Sequence, residues 1–227
     1  GKFPNILTNE KYGEQAKLLY NDAKKMLDDV IIKKQLTADA VFGIYPANSK
    51  NESVNVEGYE FYFPRQLVDK GPDKINYSLA DFISVDRDWI GMFAVTAGKG
   101  IESLVAKYEK EQDDYKIIMI KAIADRLAEA FAEKLHQMIR VDYWGYSSEK
   151  DITINDLIKE SYAGIRPAPG YPACPDHSEK DKIWEILDVE NEVGIILTES
   201  RAMYPAASVS GWYFSHPESV YFSVLNN

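Results

Sequence analysis

Between Tyr115 and Arg140 the apolar residues Ile117, Ile120, Ala124, Leu127, Phe131, Leu135 and Met138 recur at steps of three or four, the spacing that gathers side chains on one face of an α-helix. The stripe persists for about seven turns. An element of that length crosses a whole domain, and whatever else the chain forms has to pack along it. Away from the stripe, Lys121, Asp125, Glu129 and Glu133 follow at successive steps of four, so three carboxylates share a second face. The simplest reading is a solvated face. Glu129 is the member that would accept hydrogen bonds from an ammonium or a ribose if it pointed into a groove.

The remaining pattern is mixed. Ala16, Leu19, Ala23, Met26, Leu27 and Val30 predict an earlier amphipathic helix on a core, with Lys17, Asp22, Lys25 and Asp29 off the stripe. Residues 41–45 and 59–63 are β-branched and aromatic and read as strands, separated by a polar loop or hairpin end over 47–55. The apolar run 89–98 reads as a buried strand that leads through a glycine turn into a helix near Ile101 to Tyr108. Thr153 and Asp156 have the spacing of a capping box for a short helix ending before Gly164. Ser178 and Asp181 have it for a helix carrying Ile183, Trp184, Leu187 and Val193 and stopped by Gly194. Residues 195–200 are strand-like, and 208–214 with 219–225 flank a turn at His216 to Glu218 and read as an antiparallel pair. Strand runs that pair without regular intervening helices predict one α+β domain over residues 1–227, with a central antiparallel sheet and packed helices.

Composition removes several function classes. A formal net charge of −10, with lysines interspersed among acids, offers nucleic acid no basic stripe. No apolar run of 18 residues and no charged start with an apolar segment is present, so the expectation is a soluble, cytoplasmic protein without a membrane partner. One cysteine, Cys174, precludes an intrachain disulfide, and three histidines supply no metal cluster. Residues 96–100, TAGKG, match neither a dinucleotide fingerprint nor a P-loop and read as a turn. Cys174 and His177 lie three apart but lack an orienting acid, so they pack or cap locally. His216 reads as a turn residue and His136 as a structural histidine on the long helix.

The site is expected in residues 164–180, GIRPAPGYPACPDHSEK, where Pro167, Pro169, Pro172 and Pro175 stiffen a non-helical path. Prolines lack an N–H, so the carbonyls of such a strip are left to accept hydrogen bonds from elsewhere. Gly170 permits close approach to the backbone, Tyr171 offers a flat face with a hydroxyl, and Arg166 offers a planar fork for a carboxylate. Together they suit a small zwitterion. Read more plainly, the run is a connector between two elements.

The wording of this run, RPAPGYPACP at 166–175, together with TESRAMYPAASVSGWYFSHPESVYFSV at 198–224, resembles the activation domain of cobalamin-dependent methionine synthase. ADRLAEAFAEKLH at 124–136, YWGY at 143–146, LADF at 79–82 and IGMFAVTAG at 90–98 agree with that family, so the resemblance covers nearly the whole chain. It implies a methyltransferase module that binds S-adenosylmethionine and presents its methyl group for reductive methylation of cob(II)alamin to methylcobalamin. The cobalamin would be held by a neighbouring module, and a flavodoxin or equivalent reductase would supply the electron. Methionine synthesis from homocysteine and methyltetrahydrofolate would belong to other modules, which makes the chain an expected fragment of a larger enzyme.

By resemblance, Arg166 pairs with the ligand carboxylate, Ala168 and Gly170 lend backbone contacts, and Tyr171 lies near the cobalamin face. Tyr221 and Phe222 match a second ligand-contact pair, and Glu129 matches an acidic helix residue lining the site. No catalytic acid or base and no metal ligand is implied. The family's pattern also has an aspartate just before GKFPNIL and often a basic helical tail, neither of which lies within residues 1–227. The alternative function is a noncatalytic module that docks another protein on the proline strip and the terminal aromatics.

Overall fold

The structure, a computed structural model, describes residues 3–67, 71, 74–148 and 152–225. In chain order the elements are α1 (Gly13–Ile32), β1 (Thr37–Lys50), β2 (Ser53–Val56), β3 (Tyr59–Tyr62), β4 (Asp88–Lys99), α2 (Ile101–Lys110), α3 (Asp114–Met138), α4 (Ile154–Ile158), α5 (Glu179–Leu187), α6 (Val189–Val193), β5 (Ile196–Leu197), β6 (Met203–Tyr204) and β7 (Ser208–Tyr213). Five strands form an antiparallel sheet in the order β3-β2-β1-β4-β7, and β5 pairs with β6 separately. The result is the expected α+β domain.

The sheet lies between two helical layers, and β4 shows why its sequence is continuously apolar. Alternate residues of a strand point to opposite faces. Ile90, Met92 and Ala94 pack with Trp212, Phe61 and Phe63 under α5, α6 and the 3-10 turn Leu79–Phe82. Phe93 and Val95 pack with Tyr213 against Ala132 and Leu135 of α3. Burial on both faces removes the polar alternation expected of a half-exposed strand. The second face is completed by α1 and α2, whose Met26, Val30 and Leu104 meet Met119 and Ile120 of α3. Fully burying a side chain of this size stabilises by about 1.5–3 kcal/mol. Truncating Trp212, which is edge-on to Phe61 and Phe63 at 5.6 and 4.9 Å, would open the largest void in the first layer.

Several details depart from the sequence reading. Residues 219–225 do not pair with β7. One edge of β7 is bonded to β4, and the other is taken by residues 165–167, with Ile165 and Phe214 exchanging both backbone bonds at 3.0 Å and Trp212 donating to the Pro167 carbonyl at 3.0 Å. The last segment is therefore displaced and runs over the proline strip, where the Val224 N–H donates to the Pro172 carbonyl at 2.8 Å and the Gln66 amide to the Ser223 carbonyl at 2.8 Å. The polar stretch 47–55 is mostly strand, with β1 and β2 meeting at a tight turn where Asn51 adopts a φ of 55°. The helix expected through Val193 breaks at Asp188, which takes φ 49° and separates α5 from α6. Ser178 makes no side-chain cap; its own N–H is instead taken by the Asp176 carboxylate at 2.8 Å. The Thr153–Asp156 capping box forms as expected. On α1 only Met26 and Val30 of the predicted stripe are buried, and Leu19 stays exposed beside α3.

Candidate functional site

Three segments distant in sequence meet at the outer edge of β7: the C-terminal half of α3, the proline strip and the terminal segment. The strip begins as an extra strand, since Ile165 and Pro167 bond to Phe214 and Trp212. Close approach here requires Gly211, where a Cβ would overlap the Pro167 carbonyl. Beyond Pro167 the strip turns back on itself. The Gly170 N–H donates to the Cys174 carbonyl at 2.7 Å, the Cys174 N–H to the Tyr171 carbonyl at 2.9 Å, and the Tyr171 N–H to the Ala168 carbonyl at 3.2 Å. Gly170 has φ 91°, and a Cβ there would overlap the imidazole of His177. The His177 Nδ1 lies 3.1 Å from the Lys180 ammonium, which also donates to the Arg201 carbonyl at 3.0 Å. Burial pushes the pKa of that ammonium down.

Arg166 leaves the strip toward α3. Its Nη1 donates to Glu133 Oε2 at 2.5 Å and to the Tyr162 hydroxyl at 3.3 Å, and that hydroxyl donates to the same carboxylate oxygen at 3.1 Å. Burial disfavours the charge on Arg166, but the Glu133 carboxylate more than offsets it and holds the guanidinium pKa above its ordinary value. Nε and Nη2 make no hydrogen bond among the described residues, and they are not among the fully enclosed polar atoms. The arginine therefore offers one free edge.

Below this pair lies a second arginine. α3 ends in a π-helical turn, Ile139–Tyr143, which carries Arg140 into the interior with no exposed surface. Its Nη1 is 3.9 Å from Glu133 Oε1, and its Cζ lies 3.7 Å from the centre of the Tyr162 ring. None of its three side-chain nitrogens has a hydrogen-bond partner among the described residues. His136, one turn earlier, stacks on Tyr213 at 5.0 Å and is kept neutral by burial and by Arg140 and Arg166.

The residues expected at the site divide. Arg166, Ala168, Gly170 and Tyr171 lie together on the strip, with the Tyr171 ring exposed. Tyr221 joins them, because its hydroxyl accepts the Arg166 backbone N–H at 3.0 Å. Phe222, adjacent in sequence, packs the other way, 5.8 Å from Tyr77 and 6.4 Å from Phe82, as part of the first core layer. Glu129 is half-buried on α3, one turn before Glu133. The acidic face of α3 is thus not solvated throughout: Glu133 is enclosed by two arginines and a tyrosine.

Sequence reasoning missed Glu133 as a partner, and it missed Arg140, Tyr162 and Glu160 altogether. Glu160 feels Arg166 and Tyr221 electrostatically, and burial lifts its carboxyl pKa above the usual range, with Arg166 opposing. The step of four from Glu129 was the one available signal for Glu133. Cys174 is buried, and burial pushes its thiol up to about 12. Among the described residues there is no group of three or more metal-ligating side chains, and no helix is long and apolar enough to cross a membrane. The arrangement has no paired nucleophile and base. It can bind, by offering a guanidinium edge to an anion, exposed backbone beside Gly170, an aromatic face and nearby carboxylates.

The family described as "Vitamin B12 dependent methionine synthase, activation domain" matches residues 1–226. Among solved structures the chain is similar to one titled "Crystal Structure of the MetH Reactivation Domain bound to AdoHcy", at 47% identity and a TM-score of 0.93, covering 99% of this chain and 72% of that one. The chain belongs to the activation-domain family of vitamin B12-dependent methionine synthases.

Proposed function

We propose that residues 1–227 form the reactivation module of a B12-dependent methionine synthase, binding S-adenosylmethionine and presenting its methyl group to a cobalamin carried by a neighbouring module. The observation that carries this reading is Arg166, with Nη1 anchored to Glu133 and the Nε–Nη2 edge unengaged. A guanidinium edge is the natural partner of an α-carboxylate, because two parallel N–H groups match its two oxygens. Backbone at Ala168 and Gly170 and the exposed Tyr171 ring lie within the same turn and would fix the rest of the ligand. Glu129 and Glu160 supply carboxylates for its ammonium or ribose.

The chemistry fits a site without acid or base. The sulfonium methyl is already electrophilic; the S–CH3 bond breaks with its electron pair staying on sulfur, while the reduced corrinoid, when bound, supplies the nucleophile. The chain's own residues need only hold the ligand at the right distance and orientation, a contribution that reaches several kcal/mol when well arranged. A flavodoxin or equivalent reductase would deliver the electron, and the module would work in the cytoplasm. The isolated chain is not expected to make methionine.

Calorimetry tests the reading. Saturable heat with S-adenosylmethionine, absent with adenosine or with methionine alone, supports it. No heat with S-adenosylmethionine overturns it and leaves the strip as a docking surface for protein.

A further inference from the structure

A bidentate carboxylate site needs a guanidinium held in one orientation, and a free arginine side chain has several rotatable bonds to fix. Ordering such a side chain on binding costs affinity. Here that ordering is present before any ligand arrives. Glu133 Oε2 takes Nη1 of Arg166, the Tyr162 hydroxyl braces the same pair, and Glu133 Oε1 faces Arg140 at 3.9 Å. Arg140 in turn is fixed by full burial and by the Tyr162 ring. Charges therefore alternate from the interior outward: Arg140, Glu133, Arg166, and then the open Nε–Nη2 edge.

We propose that Glu133, which faces Arg140 on its other oxygen, is a positioning residue for carboxylate recognition: it fixes the plane of Arg166 so that the free edge faces a ligand carboxylate. The inference rests on the reading of Arg166 given above. Glu133 also draws on the charge of Arg166, and that competition alone would weaken the grip on a ligand. Geometry outweighs it because the edge Glu133 occupies is the one the ligand does not use.

The test compares S-adenosylmethionine with its decarboxylated form, which retains the adenosyl, sulfonium and amine groups. The wild-type chain is expected to prefer S-adenosylmethionine by about 30-fold or more, the value of a desolvated charge pair. In Glu133→Gln the preference should fall by about fivefold or more, with affinity for the decarboxylated ligand changed by less than about twofold. Should Glu133→Gln leave Arg140 uncompensated and fail to fold, the double variant Glu133→Gln/Arg140→Met removes both buried charges and carries the same expectation. A folded variant with the full preference overturns the proposal, as does equal loss for both ligands, the mark of a merely structural role. A preference that rises overturns it too, since Glu133 would then compete rather than position. A wild-type chain without any preference overturns the Arg166 reading itself, so the two failures are distinguishable.

Discussion

The hydroxyl of Tyr221 accepts the backbone N–H of Arg166 at 3.0 Å, across 55 residues of chain. This bond joins the terminal segment to the start of the proline strip and places one aromatic ring beside Arg166. Burial pushes the phenol pKa up, with the Arg166 N–H working against it, so the hydroxyl remains protonated through the physiological range. Tyr221→Phe should lower S-adenosylmethionine affinity about fivefold, the equivalent of one hydrogen bond of about 1 kcal/mol, with a small loss in melting temperature. Unchanged affinity in titration calorimetry would remove the clasp from the binding argument.

Arg166→Ala should weaken S-adenosylmethionine about 30-fold or more, and Arg166→Lys should recover only part of that, because an ammonium keeps the charge and loses the fork. Melting temperature measured on the same samples separates the roles. A destabilised Arg166→Ala protein that binds normally would show that the arginine only braces Glu133.

Gly170 carries two separate demands, a φ of 91° and contact with the His177 ring. Gly170→Ala should therefore lose about 1–2 kcal/mol from backbone strain and more from the overlap. The double variant Gly170→Ala/His177→Ala should recover the second part and not the first. Urea melts of the two variants check this; equal stability of both would mean that the ring moves aside without cost.

His136 gives a pH dependence of defined sign. Its folded pKa lies well below 6.5, because burial and the two arginines oppose a positive imidazole. The unfolded chain then binds a proton that the folded chain does not, so the stability contributed by neutral His136 is complete above about pH 6.5 and is lost as pH falls below it, at about 1.4 kcal/mol per pH unit. Asp81 and Asp176, whose carboxyl pKa values are held below the ordinary range, withdraw their share only below about pH 4. Denaturant melts between pH 7.5 and 5 should therefore show a decline that His136→Gln flattens. Parallel slopes for the two proteins would contradict it.

The α3 helix, the two-faced apolar run of β4 and the Thr153–Asp156 cap were readable because each is a local rule expressed over a few turns or one strand, but the face of α3 was not: Ile120, Ala124 and Leu135 of the expected stripe are buried with Met119, Ala128 and Ala132, while Ile117, Leu127, Phe131 and Met138 stay half-buried. The end of the chain misled for the complementary reason. Residues 219–225 have the aromatic and β-branched content of a strand, but strand formation needs a free edge, and Ile165 and Pro167 already occupy the one beside Phe214 and Trp212. Arg166, Ala168, Gly170, Tyr171 and Tyr221 lie close together on and beside the strip, whereas Phe222 is half-buried against Tyr77 and Phe82. Glu133 was hidden because helical spacing gives a face but not its rotation relative to a segment 33 residues away. Arg140 was hidden because a π turn shifts the phase of the helix at that residue.

The seating of Ile165 and Pro167 along β7 has a consequence for the behaviour of the protein in solution. A five-stranded sheet with β7 as its last member would expose unpaired backbone groups, a template for strands of other molecules. The strip covers that margin, and its outward-facing Arg166 N–H is taken by the Tyr221 hydroxyl. A substitution that loosens the strip should thus raise the tendency to aggregate as well as weaken binding, since the residues proposed to hold the ligand also keep one copy of the sheet from joining the next.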